Sequence, residues 1–279
     1  MDGHFRAFSF VDRITQLNPG VNVRGQYTIP SGVEQFSNSL VAEAVGQLAA
    51  WAAMAEVDFS HRPVAGIAGA IELLSDVRPG QVLQLAAELE SVDTDAVGYC
   101  GTACADGVPV VRLLNCLGPM VPLDEFDDPQ CLRDRFALLS TTGTTPGAFK
   151  GVPTPALERR NGQPGDSACA TLQVPVNVPF FTDHFPRRPV FPGTLLMHAN
   201  LQTAAMLAGE VPCSDGKIWR ARALSDVKLR AFISPAETLD LEAKRTAHSE
   251  DSLNVKVESR IRQRLISSVE IRFAAEDNG

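Results

Sequence analysis

The sequence lacks the paired cysteine motifs that would support a disulfide framework or a zinc site. Its cysteines form no Cys-x-x-Cys pair, and its first residues have no secretory leader pattern. We therefore expect a chain without disulfides or a bound metal that works in a reducing cytoplasm. The six cysteines are Cys100, Cys104, Cys116, Cys131, Cys169 and Cys213.

Long apolar runs are missing as well. The most apolar stretch, residues 40–55, contains Glu43 and Gln47 and is shorter than the roughly 20 residues that a membrane-spanning helix needs. We expect no membrane segment. The hydrophobic content of 44% over 279 residues is nevertheless enough to bury a proper core without covalent crosslinks.

Positive charge is scarce, since the net charge is −8. This balance disfavours nucleic acid as a general partner, because phosphate binding needs clustered positive charge. Residues 1–150 hold 9 Lys and Arg against 18 Asp and Glu, whereas the remaining residues hold 16 against 15. A local basic surface in the second half could bind an acidic partner, although ordinary solvated charge explains each residue equally well. The basic residues there include Arg187, Arg188, Lys217, Arg220, Arg222, Lys228 and Arg230.

The sequence contains a faint internal repeat. Residues 36–50, "FSNSLVAEAVGQLAA", align with residues 191–205, "FPGTLLMHANLQTAA", at a constant offset of 155 without a gap. Residues 76–89 align with residues 231–244 at an offset of 156, which puts Pro79 on Pro235. A repeat of this kind predicts two copies of one structural unit.

Each half has one apolar helix followed by strands with alternating hydrophobicity. The predicted strands are "VLQLAAELESV", "AVGYCGTACADG" and "VPVVRLLNCL" in the first half and "TLDLEAKRTA", "LNVKVESRI" and "LISSVEIRFA" in the second. This order predicts an α+β fold in which each antiparallel sheet wraps around one long central helix. We expect repeats at residues 1–122 and 165–279, joined by a linker at 123–164 with a short helix in "PQCLRDRFALL".

Glu43 lies in the apolar helix of the first half, among residues that fill more than one helix face. A buried carboxylate is costly, and enclosure favours its protonated form, so Glu43 is a candidate general acid. The alternative is a helix-forming glutamate on an exposed face.

His184 lies in the proline-rich segment "HFPRRPVFPG", where a restricted backbone can aim a neutral imidazole as a general base. The alternative is a loop histidine satisfied by backbone hydrogen bonds, and Asp183 beside it could orient the ring. Gly193 begins the second helix, where free N–H groups could receive an oxygen that gains negative charge. Elimination of water needs such a combination of base, acid and oxyanion donor.

The segment "PFFTDHFPRRPVFPGTLLMHANLQ" resembles the signature of the β-hydroxyacyl-acyl carrier protein dehydratases, which are hot-dog-fold enzymes. The resemblance rests on a His-Phe-Pro triplet, a later Pro-Gly pair and a glutamine further along the helix. The matching residues are His184, Phe185, Pro186, Pro189, Pro192, Gly193 and Gln202. The stretches "FSFVDRITQLNPG" and "SLVAEAVGQLAA" of the first half are similar to the same family.

One position departs from the family pattern. The helix acid of the family falls where this sequence has His198, and family enzymes combine the histidine of one protomer with the acid of the other. The resemblance therefore implies a fused double hot-dog in which His184 pairs with Glu43, the repeat equivalent of His198. The reciprocal site has Ile29 and His198 instead, so it is expected to be inactive.

The resemblance further implies a 3-hydroxyacyl-thioester dehydratase whose substrate is carried on phosphopantetheine, with no metal or nucleotide cofactor. An acyl carrier protein is the expected partner, docking at Arg187, Arg188, Arg220 and Arg222. Expected substrate contacts are Phe185, Val190, Pro192, Thr194, Phe36, Leu40 and Gln47. Two alternatives remain, which are hydrolysis of acyl thioesters and non-catalytic binding of an acyl carrier. The sequence leaves open whether the fused unit forms a homodimer.

Overall fold

The computed structural model describes residues 4–153, 156–214 and 216–277. These residues contain three α-helices, which are α1 (Asn38–Glu56), α2 (Pro129–Ser140) and α3 (Gly193–Ala208). Short 3-10 turns occur at Leu123–Glu125 and Pro179–Thr182. Within the described ranges, no helix combines the length and the apolarity needed to cross a membrane.

The strands fall into two groups along the chain, and each group includes two strands that precede its long helix and others that follow it. The first group is β1 (Arg13–Asn18), β2 (Asn22–Thr28), β3 (His61–Pro63), β4 (Ile67–Leu73), β5 (Val82–Val92), β6 (Ala96–Ala105) and β7 (Val108–Pro122). The second group is β8 (Leu157–Arg160), β9 (Ser167–Gln173), β10 (Lys217–Leu229), β11 (Thr238–His248), β12 (Ser252–Ile261) and β13 (Arg264–Asp277).

Twelve of these strands form one antiparallel sheet in the order β1-β2-β5-β6-β7-β4-β10-β13-β12-β11-β9-β8, and β3 pairs with β7 beside this path. The two groups meet where β4 pairs with β10, with Ala68 opposite Val227 and Glu72 opposite Ala223. The sheet is therefore continuous from the first half of the chain to the second.

The two long helices pack against different parts of this sheet. Helix α1 contacts β2, β3, β5, β6 and β7, helix α3 contacts β9 to β13, and the two helices contact each other. The approach of α1 to the sheet is close at Gly101 on β6, where an added Cβ would lie 2.5 Å from Val45 Cγ1 and 2.8 Å from the Ala86 carbonyl oxygen. Only a residue without a side chain fits between helix and sheet at this point.

The six strands predicted from alternation correspond to β5, β6, β7, β11, β12 and β13, and the predicted short helix corresponds to α2. The sequence did not identify β4 and β10, although they join the two halves. Strand β8 lies inside the expected linker at 123–164 and pairs with β9, with Leu157 opposite Leu172. The last part of that linker therefore belongs to the sheet.

Candidate active site

A cavity of about 240 Å³ lies between α1, α3 and the loop that precedes α3. Most of its lining is apolar, and the polar groups are few, as is typical of small-molecule sites. Seven of the residues expected from the sequence line this cavity: Glu43, Gln47, His184, Phe185, Val190, Gly193 and Thr194. Residues that lie more than 130 positions apart in the chain therefore line the same cavity.

The His184 ring is held by the backbone of its own loop. Nδ1 lies 2.7 Å from the Val190 carbonyl oxygen, and since a carbonyl only accepts, Nδ1 carries the proton in this contact. The other ring nitrogen, Nε2, is then the one with a free lone pair. The ring also stacks on Phe185 and meets Phe8 edge-on, with centroid distances of 4.0 and 5.7 Å. His184 is thus fixed in the tautomer that a general base needs.

Enclosure lowers the pKa of His184 below the ordinary histidine value, because burial disfavours the imidazolium. The Glu43 carboxylate and the Val190 carbonyl oppose this shift, and the positive charge of Arg62 adds to it. The balance favours a neutral ring at physiological pH, which is the form that can accept a proton.

Glu43 is half-buried on α1, and each of its oxygens has a side-chain partner. Gln47 Nε2, one turn further along α1, donates to Oε1 at 2.9 Å. Thr194 Oγ1, on α3, donates to Oε2 at 2.7 Å. Gln47 is itself fixed by the backbone of Phe8 and Phe10. Because Thr194 belongs to the other half of the chain, this carboxyl group connects the two helices at the cavity.

Gly193 is the first residue of α3, and Pro192 precedes it at the cap position. The first N–H groups of a helix have no partner within the helix, so this terminus offers donors and a positive dipole end to the cavity. An added Cβ on Gly193 would lie 2.5 Å from Leu229 Cδ1 and 3.4 Å from Ala65 Cβ, both of which line the cavity. A side chain here would therefore crowd the cavity wall.

Three of the expected substrate contacts lie elsewhere. Phe36 and Leu40 are buried in the core, because they precede the turn of α1 that carries Glu43. Phe36 packs edge-on against Phe10 and Phe149, with centroids 5.5 and 5.8 Å apart. Pro192 is buried at the start of α3 and is absent from the cavity lining.

The four arginines expected to dock a carrier protein fall into two groups. Arg187 and Arg188 follow His184 directly, and the Arg188 guanidinium lies 5.0 Å from the ring of Phe232, a cavity-lining residue. Arg220 and Arg222 instead bind Glu276 on β13. On β10, Arg222 lies five positions before the cavity-lining residue Val227 and two before Leu224, which pairs with the cavity-lining residue Ile71.

Arg187 and Arg188 border the cavity, and both have acidic neighbours. Arg187 lies 3.8 Å from Asp128, and Arg188 lies 3.5 Å from Glu125. All four side chains are about half exposed, so these ion pairs are weak and open to competition by another acidic group.

The reciprocal positions, His198 and Ile29, do not form a similar pair. Ile29 is completely buried in the core. His198 is half-buried, lies outside the cavity lining, and makes no ring hydrogen bond to any described residue. Burial lowers its pKa, and no charged group contributes to that shift.

The sequence reasoning missed the N-terminal segment as a wall of the site. Asp183 accepts hydrogen bonds from the backbone N–H groups of Phe5, Ala7 and Phe8 at 2.6, 2.8 and 2.7 Å. It therefore holds this segment over the cavity rather than orienting the His184 ring. Arg62 also lines the cavity and was missed, since no local pattern marks a residue that reaches a site only through sheet pairing.

Comparisons with known proteins agree with this architecture. The model of the ApeI-like family, described as ApeI dehydratase, matches residues 160–269. A MaoC-like dehydratase structure covers 92% of this chain and 98% of its own, with a TM-score of 0.57 at 13% identity. An acyl-ACP thioesterase from Bacteroides thetaiotaomicron covers 90% and 97%, with a TM-score of 0.52 at 11% identity. At such identities the likeness defines the fold alone, which is a hot-dog fold.

Curated relatives define the family. The 3-hydroxyacyl-[acyl-carrier-protein] dehydratase FabZ of Lactobacillus helveticus is 30% identical over 114 residues, which are 41% of this chain and 77% of the relative. The FabZ of Acetivibrio thermocellus is 31% identical over 115 residues, which are 41% of this chain and 79% of the relative.

The fold thus defines a protein of the hot-dog class. Within that class, the chain belongs to the FabZ family of 3-hydroxyacyl-[acyl-carrier-protein] dehydratases.

Proposed function

We propose that this protein dehydrates 3-hydroxyacyl thioesters to trans-2-enoyl thioesters in fatty-acid or polyketide-type synthesis, at one composite site. The observation that carries the proposal is the shared cavity of His184 and Glu43. In this cavity, His184 Nδ1 donates a hydrogen bond to the Val190 carbonyl oxygen, and the Glu43 carboxyl group accepts hydrogen bonds from Gln47 and Thr194. Membership of the FabZ family and the match to the dehydratase model support the same reaction class, a hydro-lyase.

His184 acts as the base. Its neutral Nε2 takes a proton from the carbon next to the thioester carbonyl, and the ring becomes an imidazolium. Charge then develops on the thioester oxygen, where the Gly193 N–H at the start of α3 can donate to it. Once Glu43 has given up its proton, the charge of its carboxylate favours the imidazolium until that proton returns.

Glu43 acts as the acid. In its protonated form it gives a proton to the β-hydroxyl, directly or through water, so the C–O bond breaks and water leaves. The contact with Thr194 serves both states, because a hydroxyl can accept from a carboxylic acid or donate to a carboxylate. Return of the proton from His184 to Glu43 restores the starting state.

We further propose that the chain is a fused double hot-dog, in which each sheet wraps around one long helix. The first repeat is 1–122, and the second is 165–279 together with β8 (Leu157–Arg160) from the end of the linker at 123–164. Strand order supports this proposal. From the sheet edge to the centre, the first half has the order β1-β2-β5-β6-β7-β4, and the second half has the equivalent order β8-β9-β11-β12-β13-β10.

The pairing of β4 with β10 supports the fusion independently. Ile67 pairs with Lys228 and Glu72 pairs with Ala223. The repeat offset of 156 relates residue 67 to 223 and residue 72 to 228. Exchanging the halves therefore maps this pairing onto itself, as expected for an internal two-fold axis. One composite site remains active, and the reciprocal one, with Ile29 and His198, is inactive.

The partner in this proposal is an acyl carrier protein, and the substrate arrives on its phosphopantetheine arm. Arg187 and Arg188 are the docking residues nearest the cavity, and acidic groups of a carrier can replace Asp128 and Glu125 as their partners. Arg220 and Arg222 are bound to Glu276, so a carrier protein would have to compete with this carboxylate to use them.

Thioester hydrolysis is the second candidate, because a thioesterase shares this fold. It would use Glu43 to activate water. The fixed tautomer of His184 disfavours hydrolysis. If Glu43 activated the water, the neutral His184 ring would have no role in the reaction.

Product analysis distinguishes these functions. The purified chain is incubated with a 3-hydroxyacyl thioester while enoyl-thioester absorbance and free thiol are followed together. We expect enoyl product without thiol from the wild type, and roughly a hundredfold less from His184→Ala, as is typical when a general base is lost. Release of thiol would establish hydrolysis instead, and no reaction would leave only binding of an acyl carrier.

A further inference from the structure

Arg62 lies deep in the site, at the end of a column of three planar side chains. It belongs to β3, where it pairs with Val121 of β7. Its guanidinium lies 3.7 Å from the centre of the Phe185 ring, and Phe185 in turn stacks on His184 with centroids 4.0 Å apart and planes inclined by 25°. We call His184, Phe185 and Arg62 the stacked column. Movement of one member therefore disturbs the other two.

Asp127 is the charge partner of Arg62. Asp127 Oδ2 lies 3.7 Å from Arg62 and 3.3 Å from His4 Nε2. The side chains of Arg62 and Asp127 are only 14% and 3% exposed, so both charges are largely removed from water. Burial lowers the pKa of Arg62 to about 10, which leaves it charged at neutral pH.

Packing alone does not explain an arginine at this position. Its Nε is buried and has no hydrogen-bond partner among the described residues, and the Asp127 contact is longer than a hydrogen bond. A buried charge with such incomplete pairing costs stability compared with an apolar side chain of the same size. A cost of this kind is typical of residues that serve the chemistry of a site.

The charges around His184 indicate what Arg62 does. Glu43 faces the imidazole from α1, and its negative charge favours the protonated ring. Asp183, the neighbour in the chain, is occupied by the N-terminal backbone. Arg62 is the cation whose charge opposes Glu43 at His184. Without Arg62, the negative charge of Glu43 would favour a His184 ring that is already protonated and cannot act as a base.

We propose that Arg62 is a positioning residue that keeps His184 unprotonated and correctly oriented, by stacking under Phe185 and by opposing the charge of Glu43. This role rests on the proposed function for its purpose. The effect of Arg62 on the protonation of His184 does not depend on which reaction the site performs.

The test compares Arg62→Lys and Arg62→Met/Asp127→Asn with the wild type and with one control variant, all as the full chain. Arg62→Lys keeps the charge but loses the planar stack, and Arg62→Met loses both. Because Arg62→Met leaves Asp127 buried without its arginine and can unfold, Arg62→Met/Asp127→Asn removes the pair together. Arg112→Met, which removes an exposed arginine bound to Glu72 on the sheet, is the matched control.

Two measurements are made on each variant. The titration of the His184 ring is followed by NMR, with its signal assigned by comparison with His184→Gln, and kcat and KM are measured against pH. In Arg62→Met/Asp127→Asn we expect His184 to titrate at least half a pH unit higher than in the wild type. We expect kcat to fall more at pH 6 than at pH 8, with KM nearly unchanged. Arg62→Lys should keep the titration near the wild type but lower kcat severalfold, and Arg112→Met should change neither.

An unchanged His184 titration in Arg62→Met/Asp127→Asn would overturn the proposal. So would a rise in KM at constant kcat, because Arg62 would then bind substrate rather than position the base. A shifted titration in a protein that forms no enoyl product would refute the proposed function and leave the role of Arg62 intact.

Discussion

At the scale of single residues, the site depends on opposed influences on one imidazole. Burial and Arg62 favour neutral His184, whereas Glu43 and the Val190 carbonyl favour its charged form. The backbone contact to Val190 fixes which nitrogen is free. A histidine held in this way can act as a base over a wide range of pH, because its charge state is set by its surroundings rather than by its intrinsic basicity.

This balance predicts the acidic limb of the pH profile. Because the folded protein lowers the pKa of His184, the neutral base persists as the pH falls through 6.5, the ordinary histidine value. We expect kcat/KM to remain near its maximum at pH 6.5 and to decline only at lower pH, as measured by initial rates of enoyl formation.

The control for this limb is His198→Ala. Burial also lowers the pKa of His198, so His198 is a second histidine that could titrate in this range. If His184 is the base, His198→Ala should leave the acidic limb at its wild-type pH. A limb centred at or above 6.5 would mean that His184 is not the titrating base, or that Glu43 dominates its charge state.

At the scale of elements, the start of α3 determines how the substrate meets the backbone. Gly193 combines an N–H at the free start of this helix with a place in the cavity wall beside Leu229 and Ala65. The preceding proline fixes the backbone at the cap. The oxyanion donor is therefore rigid because of local sequence and accessible because of the missing side chain.

Substitution of Gly193 tests this arrangement. In Gly193→Ala the new methyl group meets Leu229 Cδ1 at 2.5 Å, so the helix start or Leu229 must shift. We expect kcat to fall on the order of tenfold, which is less than the 10²–10³ typical of complete loss of an oxyanion donor. The double variant Gly193→Ala/Leu229→Ala should recover most of kcat, because it provides the missing space.

The matched control is Gly32→Ala, since an added Cβ on Gly32 meets no atom within 4 Å. It should leave kcat unchanged. A double variant as slow as Gly193→Ala would show that the methyl group obstructs the substrate itself, so Leu229 would not be the cause.

The elements also separate what sequence can predict from what it cannot. Strands β5 and β11 alternate clearly between buried and exposed residues, so period-two reasoning finds them. Strand β4 consists largely of small residues that are only partly buried, and β10 contains five charged residues, so neither shows the alternation. Both matter because of their pairing with each other, which is a property of the assembled chain.

The site shows the same division. His184, Gly193 and Gln47 could be identified because they belong to recognisable local motifs. Arg62 and the N-terminal segment held by Asp183 could not, because they join the cavity through contacts between distant parts of the chain. Phe36 and Leu40 were expected to contact substrate, and the structure buries both in the core outside the cavity lining.

At the scale of the whole molecule, the fusion of two related halves that we propose would remove the need for symmetry. A homodimer of single hot-dogs must repeat each substitution in both sites. In one chain, the first half could lose its histidine, leaving Ile29, while the second lost its acid, leaving His198. The bond from Thr194 to Glu43 then connects the two surviving contributions within a single chain.

A mixing experiment tests whether the site forms within one chain. His184→Ala and Glu43→Gln chains are unfolded together in equal amounts, refolded and assayed. We expect no recovery of dehydration, because neither chain can build a complete site from its own halves. If sites formed between chains, about a quarter of the wild-type activity would return, since random pairing gives one intact site in half of the dimers.

The central claim is that Glu43, and not the residue at the family's usual helix position, is the acid that serves His184. The most direct measurement is turnover of a 3-hydroxyacyl thioester by Glu43→Gln beside His198→Ala, with both proteins shown to unfold at the wild-type midpoint. We predict that Glu43→Gln loses at least roughly a hundredfold in kcat, as expected for a general acid, while His198→Ala keeps wild-type turnover. Normal turnover in Glu43→Gln, or its loss in His198→Ala, would contradict the account.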